Sequence, residues 1–142
     1  MGSSIRDCSV VRVMVLGAVV LLAAACASHY TSSRTGAVRD IIVIEAPNPG
    51  ELRVNPGDEV RWVNRRTQPI QIDLLETRVS ELTCNRGFTD FFGGPREHVT
   101  LEANQTASVC FPIAGMIRYN VRMESALPGG KKIVAGIINV GN

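Results

Sequence analysis

Apolar and polar residues alternate along most of the chain beyond residue 37, in short runs separated by turn-forming residues. The run 59–64, for example, places Val60 and Trp62 on one face. Alternation with a period of two predicts strands buried on one face, and Pro- and Gly-rich stretches between the runs predict turns. The predicted strands are 38–45, 51–54, 59–64, 70–74, 98–101, 106–111, 117–123 and 133–140.

Strands of this length, separated by frequent turns, predict an all-β domain: a Greek-key β-sandwich of seven or eight strands. The run 133–140 is almost continuously apolar, which predicts a strand buried between two sheets. No segment sustains a helical period, and 73–82, with apolar residues on one face of two turns, comes nearest. The segment 76–97 is predicted to be a long connection between strands.

The N-terminal segment has a different pattern. Arg6 and Arg12 are basic, and residues 13–25 carry no charge. This pattern is typical of a signal peptide and is too short to span a bilayer. The segment ends in Leu22-Ala23-Ala24-Ala25-Cys26, which resembles the lipobox of bacterial lipoproteins, although Ala23 stands where Leu is usual. The resemblance implies that Cys26 is lipidated; the alternative is ordinary secretory cleavage near Ala25.

These features divide the chain into a signal peptide (1–25), a polar tether (26–36) and a folded domain (37–142). The lipobox resemblance implies a bacterial cell-envelope protein, anchored to a membrane by lipid and facing the periplasm. Ala27 follows the Cys in place of the Asp that often retains lipoproteins at the inner membrane. The outer membrane is therefore favoured in a Gram-negative cell.

The four cysteines have different expected fates. Cys8 lies in the predicted signal peptide, and Cys26 is the candidate lipidation residue. Cys84 and Cys110 remain as an even pair in an oxidising compartment, which predicts a disulfide with Cα atoms ~5–6 Å apart. The alternative is that the two thiolates bind a metal.

One motif resembles a known family. Residues 54–64, Val-Asn-Pro-Gly-Asp-Glu-Val-Arg-Trp-Val-Asn, resemble the cupredoxin signature, in which a Pro-Gly-Asp turn leads into a Val-x-Trp-x-Asn strand. Phe111, Gly115 and Tyr119 resemble the strand that leads to the copper-ligand loop, and 136–140 resembles the closing strand. The resemblance covers most of the domain and implies a cupredoxin-like fold.

The copper ligands of that family have no counterparts at the matching positions. Type 1 copper takes two imidazoles, a Cys thiolate and usually a weak axial Met. Ile70 follows the Pro that the first His follows in plastocyanin-like members, and Val121 stands two residues after the aromatic Tyr119. Glu124 and Ala135 occupy the remaining two positions. The resemblance therefore implies a cupredoxin-like domain that has lost its type 1 copper site.

Composition narrows the function further. The chain has 15 Lys and Arg against 13 Asp and Glu, for a net charge of +2, which gives no basis for nucleic-acid binding. It has two His and no recognisable catalytic motif, so we expect no enzyme activity and no cofactor. The predicted function is a membrane-tethered, non-catalytic binding or accessory module, with an envelope protein as a partner.

Three further hypotheses stay open. A copper-binding or electron-transfer protein could use a non-standard site, for which the available ligands are His98, Met116, Met123 and Glu124. Phe88, Phe91 and Phe92 are candidate partner-binding residues because aromatic side chains contribute strongly to interfaces. The alternative is that these rings cover a sheet edge or cap the core. Arg65, Arg66, Arg118 and Arg122 suggest an anionic partner or, alternatively, a solvated sheet face.

Overall fold

A computed structural model describes residues 35–141, except 76, 78, 126 and 127. The predicted signal peptide, Cys26 and the tether up to residue 34 lie outside the described residues. The described part contains one 3₁₀ turn, Val79–Glu81, and no helix in it is long and apolar enough to cross a membrane. Its strands are β1 (Val38–Val43), β2 (Pro47–Asn48), β3 (Glu51–Val54), β4 (Glu59–Asn64), β5 (Ile70–Leu75), β6 (Thr83–Arg86), β7 (His98–Leu101), β8 (Thr106–Cys110), β9 (Gly115–Glu124) and β10 (Lys131–Val140).

The strands form two five-stranded sheets, which confirms the predicted all-β sandwich. Sheet 1 has the order β2-β1-β4-β8-β6, and sheet 2 has the order β3-β10-β9-β5-β7. From β2 to β9, consecutive strands alternate between the two sheets. Two pairs are parallel, β1 with β4 and β3 with β10, and the other pairs are antiparallel. Neighbours within a sheet are therefore mostly distant in sequence, as Greek-key connections require.

The structure corrects two details of the sequence prediction. The described residues form ten strands rather than seven or eight, because β2 and β6 add short strands that lack an alternating pattern. Strand β10 is not buried on both faces: its side chains alternate, and Ile133 is 57% exposed. In the segment 73–82, which came nearest to a helical period, β5 continues to Leu75 and a 3₁₀ turn follows at Val79–Glu81.

Three aromatic rings form the centre of the core. Trp62 on β4 lies 5.5 Å from the ring of Tyr119 on β9 and 5.5 Å from the ring of Phe88, edge to face in both pairs. All three side chains are fully buried. The Tyr119 ring lies over Gly136, where a Cβ atom would come within 2.2 Å of the Tyr119 Cζ. The core therefore needs a glycine at that point of β10.

Burial leaves polar atoms of this aromatic cluster without partners. The Tyr119 hydroxyl and the Trp62 Nε1 make no hydrogen bond of good geometry among the described residues. Burial raises the pKa of Tyr119 to about 12, and the nearby Trp62 indole offsets part of that rise. The phenol is therefore neutral at any physiological pH.

The Pro-Gly-Asp turn before β4 is held by the buried carboxylate of Asp58. This carboxylate accepts hydrogen bonds from the Asn55 backbone N–H at 3.0 Å and from the Thr35 hydroxyl. Burial of the carboxyl acts to raise its pKa, but these hydrogen bonds and the nearby Arg39 together lower it below the ordinary value. Gly57 adopts a φ of +89°, a conformation that favours glycine.

The disulfide predicted between Cys84 and Cys110 is confirmed, with Cα atoms 5.5 Å apart. It joins the edge strand β6 to its neighbour β8 in sheet 1. The β6–β8 pairing is irregular between Thr83 and Arg86, so few ladder hydrogen bonds hold β6. The disulfide therefore attaches the long connection between β5 and β7 to a strand of the core.

Removing this disulfide should destabilise the domain and release β6 first. In a Cys26→Ser background, we expect the Cys84→Ala/Cys110→Ala variant to lose about 3.5 kcal/mol of unfolding free energy, since the bond closes a 26-residue loop. Urea unfolding measures the loss, and hydrogen exchange should show weaker protection in β6 than in β10. Adding a reductant should lower the unfolding free energy of the parent to that of the variant. Equal stability of variant and parent would contradict the expectation.

Candidate functional site

One end of the sandwich is organised by the side chain of Asn64, the last residue of β4. Its Nδ2 donates hydrogen bonds to the backbone oxygens of Gln68, Leu101 and Glu102 at 2.9–3.0 Å. Its Oδ1 accepts one from the Arg66 N–H at 2.9 Å. The side chain is fully buried. This single amide therefore fixes the segment before β5 and the end of β7 to the end of β4.

Beside Asn64, a row of apolar side chains crosses sheet 2. Ile70 of β5 pairs with Met123 of β9 on one side and with Leu101 of β7 on the other. All three are buried, with exposures of 1%, 4% and 2%. Two of the three are hydrocarbon side chains and the third is a thioether. We call the row Met123, Ile70 and Leu101, together with Asn64, the Asn64 end.

The chemistry of the Asn64 end does not fit a type 1 copper centre. Such a centre needs imidazole and thiolate donors that converge on one ion. The row offers only the Met123 sulfur, and both thiols of the described residues form the disulfide. Within the described ranges, no group of three or more His, Cys, Asp or Glu residues lies close enough to hold a metal ion.

The register between β5 and β9 places Met123, and not Val121, opposite Ile70. Val121, the position matched to the Cys ligand from sequence, pairs with Ile72, while Met123 pairs with Ile70. Ala135 pairs with Asn120 and is exposed on the outer face of sheet 2. Glu124 is also exposed, on the opposite face of β9 from Met123. The four positions matched from sequence therefore do not surround one point.

The alternative copper ligands are not brought together either. Met116 is 65% exposed near the start of β9, seven residues from Met123 and thus about 23 Å along the strand. His98 is exposed at the start of β7 and pairs with Asp73, not with the row at Ile70. Met123 is buried and Glu124 exposed. No pair of these four forms a plausible shared site.

The arginines singled out from sequence are largely occupied. Arg118 and Arg122 are exposed on the outer face of sheet 2, as predicted. Arg122 forms an ion pair with Asp73, on the solvent side of β5 and β9. Arg66 donates to the backbone oxygens of Ile44 and Glu124 at 2.7 and 2.9 Å. Arg66 and Arg122 therefore connect elements of the domain, which weakens the case for an anion-binding surface.

A second candidate site is a short hairpin between β6 and β7. The Arg96 N–H donates to the Phe88 oxygen at 2.9 Å, and the Asp90 N–H donates to the Gly94 oxygen at 2.7 Å. Thr89 and Pro95 form a bridge between these bonds. We call residues 88–96 the phenylalanine hairpin. It lies between an edge strand of each sheet, because β6 ends sheet 1 and β7 ends sheet 2.

The side chain of Asp90 shapes the tip of the hairpin. Its Oδ1 accepts hydrogen bonds from the backbone N–H groups of Phe92 at 2.9 Å and Gly94 at 2.7 Å. The Gly93 N–H donates to the backbone oxygen of Asp90 at 3.1 Å, and Gly93 adopts a φ of +84°. Asp and Gly at these positions are typical of a tight turn. The tip therefore has a defined conformation that displays Phe91 and Phe92.

The three phenylalanines of the hairpin serve different purposes, which corrects one prediction. Phe88 is not available to a partner: it is fully buried against Trp62. Phe91 and Phe92 are 96% and 93% exposed, and their rings pack edge to face at 5.5 Å. The reason is the turn at Asp90, which reverses the chain after Phe88 has entered the core. Sequence spacing alone contains no signal that separates Phe88 from the other two.

Comparison with known proteins yields a likeness of architecture. No protein-family model and no curated protein matches the chain. Similar solved structures include variants of amicyanin, a cupredoxin. A reduced Cu(I) form at pH 4 is 19% identical with a TM-score of 0.46, over 74% of this chain and 82% of amicyanin. An oxidised variant is 20% identical with a TM-score of 0.47, over 75% and 83%. Matches at this level decide neither metal content nor function.

Replacing Asn64 should weaken the whole Asn64 end. The Asn64→Ala variant leaves three backbone oxygens and the Arg66 N–H without their side-chain partner, so we expect a loss of about 3 kcal/mol. Urea unfolding measures it. Gln68→Ala is the matched control, because only the backbone of Gln68 bonds to Asn64 and its exposed side chain should matter little. Equal stabilities of the two variants would count against this role.

Proposed function

We propose that the chain is a lipid-anchored protein of the bacterial cell envelope whose cupredoxin-like domain has no type 1 copper site. In this proposal the domain is a non-catalytic binding or accessory module. The observation that carries the proposal is the apolar row at the Asn64 end. Ile70 stands at the position matched to the first His ligand, and its buried neighbours Met123 and Leu101 offer neither an imidazole nor a thiolate.

The cupredoxin-like assignment is supported by the way one sequence motif is used. The Pro-Gly-Asp turn is held by Asp58, Trp62 lies at the centre of the core, and Asn64 ties together the end of the sandwich. These three residues thus have structural tasks that do not involve metal. A chain can therefore keep this motif for stability alone while its ligand positions change.

Donor chemistry supports the part of the proposal that assigns the domain no redox role. Copper that cycles between Cu(I) and Cu(II) needs a mixture of imidazole and thiolate ligands, and a lone thioether does not supply it. Catalysis by general acid and base has little material, since the folded domain has one histidine, His98, exposed at the start of β7. Binding remains as the function that the available groups can perform.

The envelope location is supported by the sequence around Cys26. A basic start, an uncharged stretch and small residues before a cysteine resemble a lipoprotein signal. The disulfide suits an oxidising compartment. Two or more acyl chains give stable anchoring, because each buried methylene contributes about 0.8 kcal/mol.

Metal analysis tests the loss of the copper site. The protein purified from membranes should contain no stoichiometric copper, and added Cu(II) should produce no thiolate absorption band near ~600 nm, because that band requires a Cu–thiolate bond. Amicyanin, handled identically, is the positive control. Stoichiometric copper that disappears in the Met123→Leu variant would support the non-standard copper site and overturn the proposal.

Substitution of the anchor residue tests the location. We expect Cys26→Ser to move the protein from the membrane to the soluble fraction, because the acyl chains are its only strong membrane affinity. Cell fractionation and immunoblotting measure the distribution. Cys8→Ser is the matched control, since Cys8 lies in the predicted signal peptide and its loss should change nothing. A Cys26→Ser protein that still sediments fully with membranes would refute the anchor.

A further inference from the structure

We propose that the tip of the phenylalanine hairpin inserts Phe91 and Phe92 into the interfacial region of a lipid bilayer. This inference rests on the proposed lipid anchor for one thing only, the proximity of a membrane. It adds a second, non-covalent contact, through which the sandwich lies against the bilayer with the hairpin side facing it.

The first support is the exposure of the two rings. Phe91 and Phe92 are 96% and 93% exposed at adjacent positions of one turn. They are the most exposed of the large apolar side chains in the described part of the protein; the next, Met116, is 65% exposed. Two neighbouring phenylalanines left in water are unfavourable unless another phase or surface covers them.

The second support is the rigidity of the tip. The Asp90 carboxylate accepts two backbone hydrogen bonds from within the turn. On one side the hairpin begins at the buried Phe88, and the disulfide at Cys84 holds the strand that precedes it. The two rings therefore need little ordering on insertion, so less conformational entropy is lost than for a flexible loop.

The shape of the tip favours a bilayer over a protein. Protein interfaces bury roughly 800 Å² on each partner, with the aromatic anchors near the centre of the patch. Here the rings form a turn apex flanked by Gly93, Gly94 and Pro95, and neither the groove beside Ile70 and Met123 nor the groove beside Phe111 and Ile117 borders them. A convex apolar wedge needs a complementary pocket on a protein, whereas the bilayer interface receives it without one.

Charge and reach agree with this occupant. The hairpin and its next residue carry Asp90, Arg96 and Glu97, so attraction to lipid must come from the rings rather than from net positive charge. Contact should therefore depend weakly on salt. Thr35 lies nine positions after Cys26, a distance along the chain of about 30 Å at most. A lipid at Cys26 thus leaves the domain close enough to turn its hairpin side to the membrane.

Quenching by lipid measures insertion directly. The lipidated full-length Phe92→Trp protein is reconstituted into vesicles of phosphatidylethanolamine and phosphatidylglycerol that carry bromine on the acyl chains. The fluorescence that the substitution adds is the difference between the emission of the variant and that of wild type. We expect this difference to shift to the blue and to be quenched. Met116→Trp is the matched control, since Met116 is also exposed, on the outer face of sheet 2. The native Trp62 is fully buried and provides the background to subtract.

The outcomes separate the two proposals. If Phe92→Trp is quenched no more than Met116→Trp, the tip stays in water and the inference is overturned. If a blue shift requires added envelope proteins and occurs without quenching, the tip binds a protein and the inference is also overturned. Intact mass of the same preparation reports the acyl chains on Cys26. An acylated but unquenched protein refutes the tip alone, while a quenched but unacylated protein refutes the anchor alone.

A second measurement uses the full-length chain without its lipid. The Cys26→Ser protein should co-sediment weakly with the same vesicles, at low and high salt alike. Adding Phe91→Ser and Phe92→Ser should reduce the partition coefficient at least tenfold, since burial of one phenylalanine is worth roughly that factor. Ile113→Ser is the control, as Ile113 is 60% exposed outside the hairpin. Equal losses in the two variants would overturn the inference.

Discussion

The packing of Trp62 against Tyr119 and Phe88 is the contact on which the rest of the structure depends. Trp62 belongs to sheet 1 and Tyr119 to sheet 2, so their edge-to-face contact joins the two sheets across the core. Tyr119 reaches that position because Gly136 has no side chain to block it. Phe88 joins the same cluster from the connection between β6 and β7. Three separate parts of the chain thus meet at one indole ring.

The sequence predicted the strands whose burial follows from simple alternation. The bounds of β3, β4 and β7 agree with prediction because each has apolar side chains on one face and ends at a turn. Strand β6, Thr-Cys-Asn-Arg, has no such pattern, and its place in sheet 1 depends on the disulfide and on β8. The disulfide itself was predictable from cysteine count and compartment, since no other thiol partner remained in the domain.

The candidate sites were less accessible from sequence, for two physical reasons. Which residue of β9 faces Ile70 depends on the register between two strands, and a shift of two residues keeps every side chain on the same face. Sequence alignment to the cupredoxin pattern selected Val121, whereas pairing selects Met123. The fate of the three phenylalanines depends on the turn at Asp90, and no periodic pattern in that segment reports whether a ring faces inward.

The parallel pairing of β3 with β10 affects how the domain forms. Residues 51–54 pair with residues 137–140, which lie more than 80 positions later in the chain. Contacts of such long range slow folding, because a long loop must close before they are made. Until the last strand arrives, β9 and β3 expose edges that can pair with other chains. Sheet 2 therefore stays incomplete, with open edges, until residues 137–140 join it.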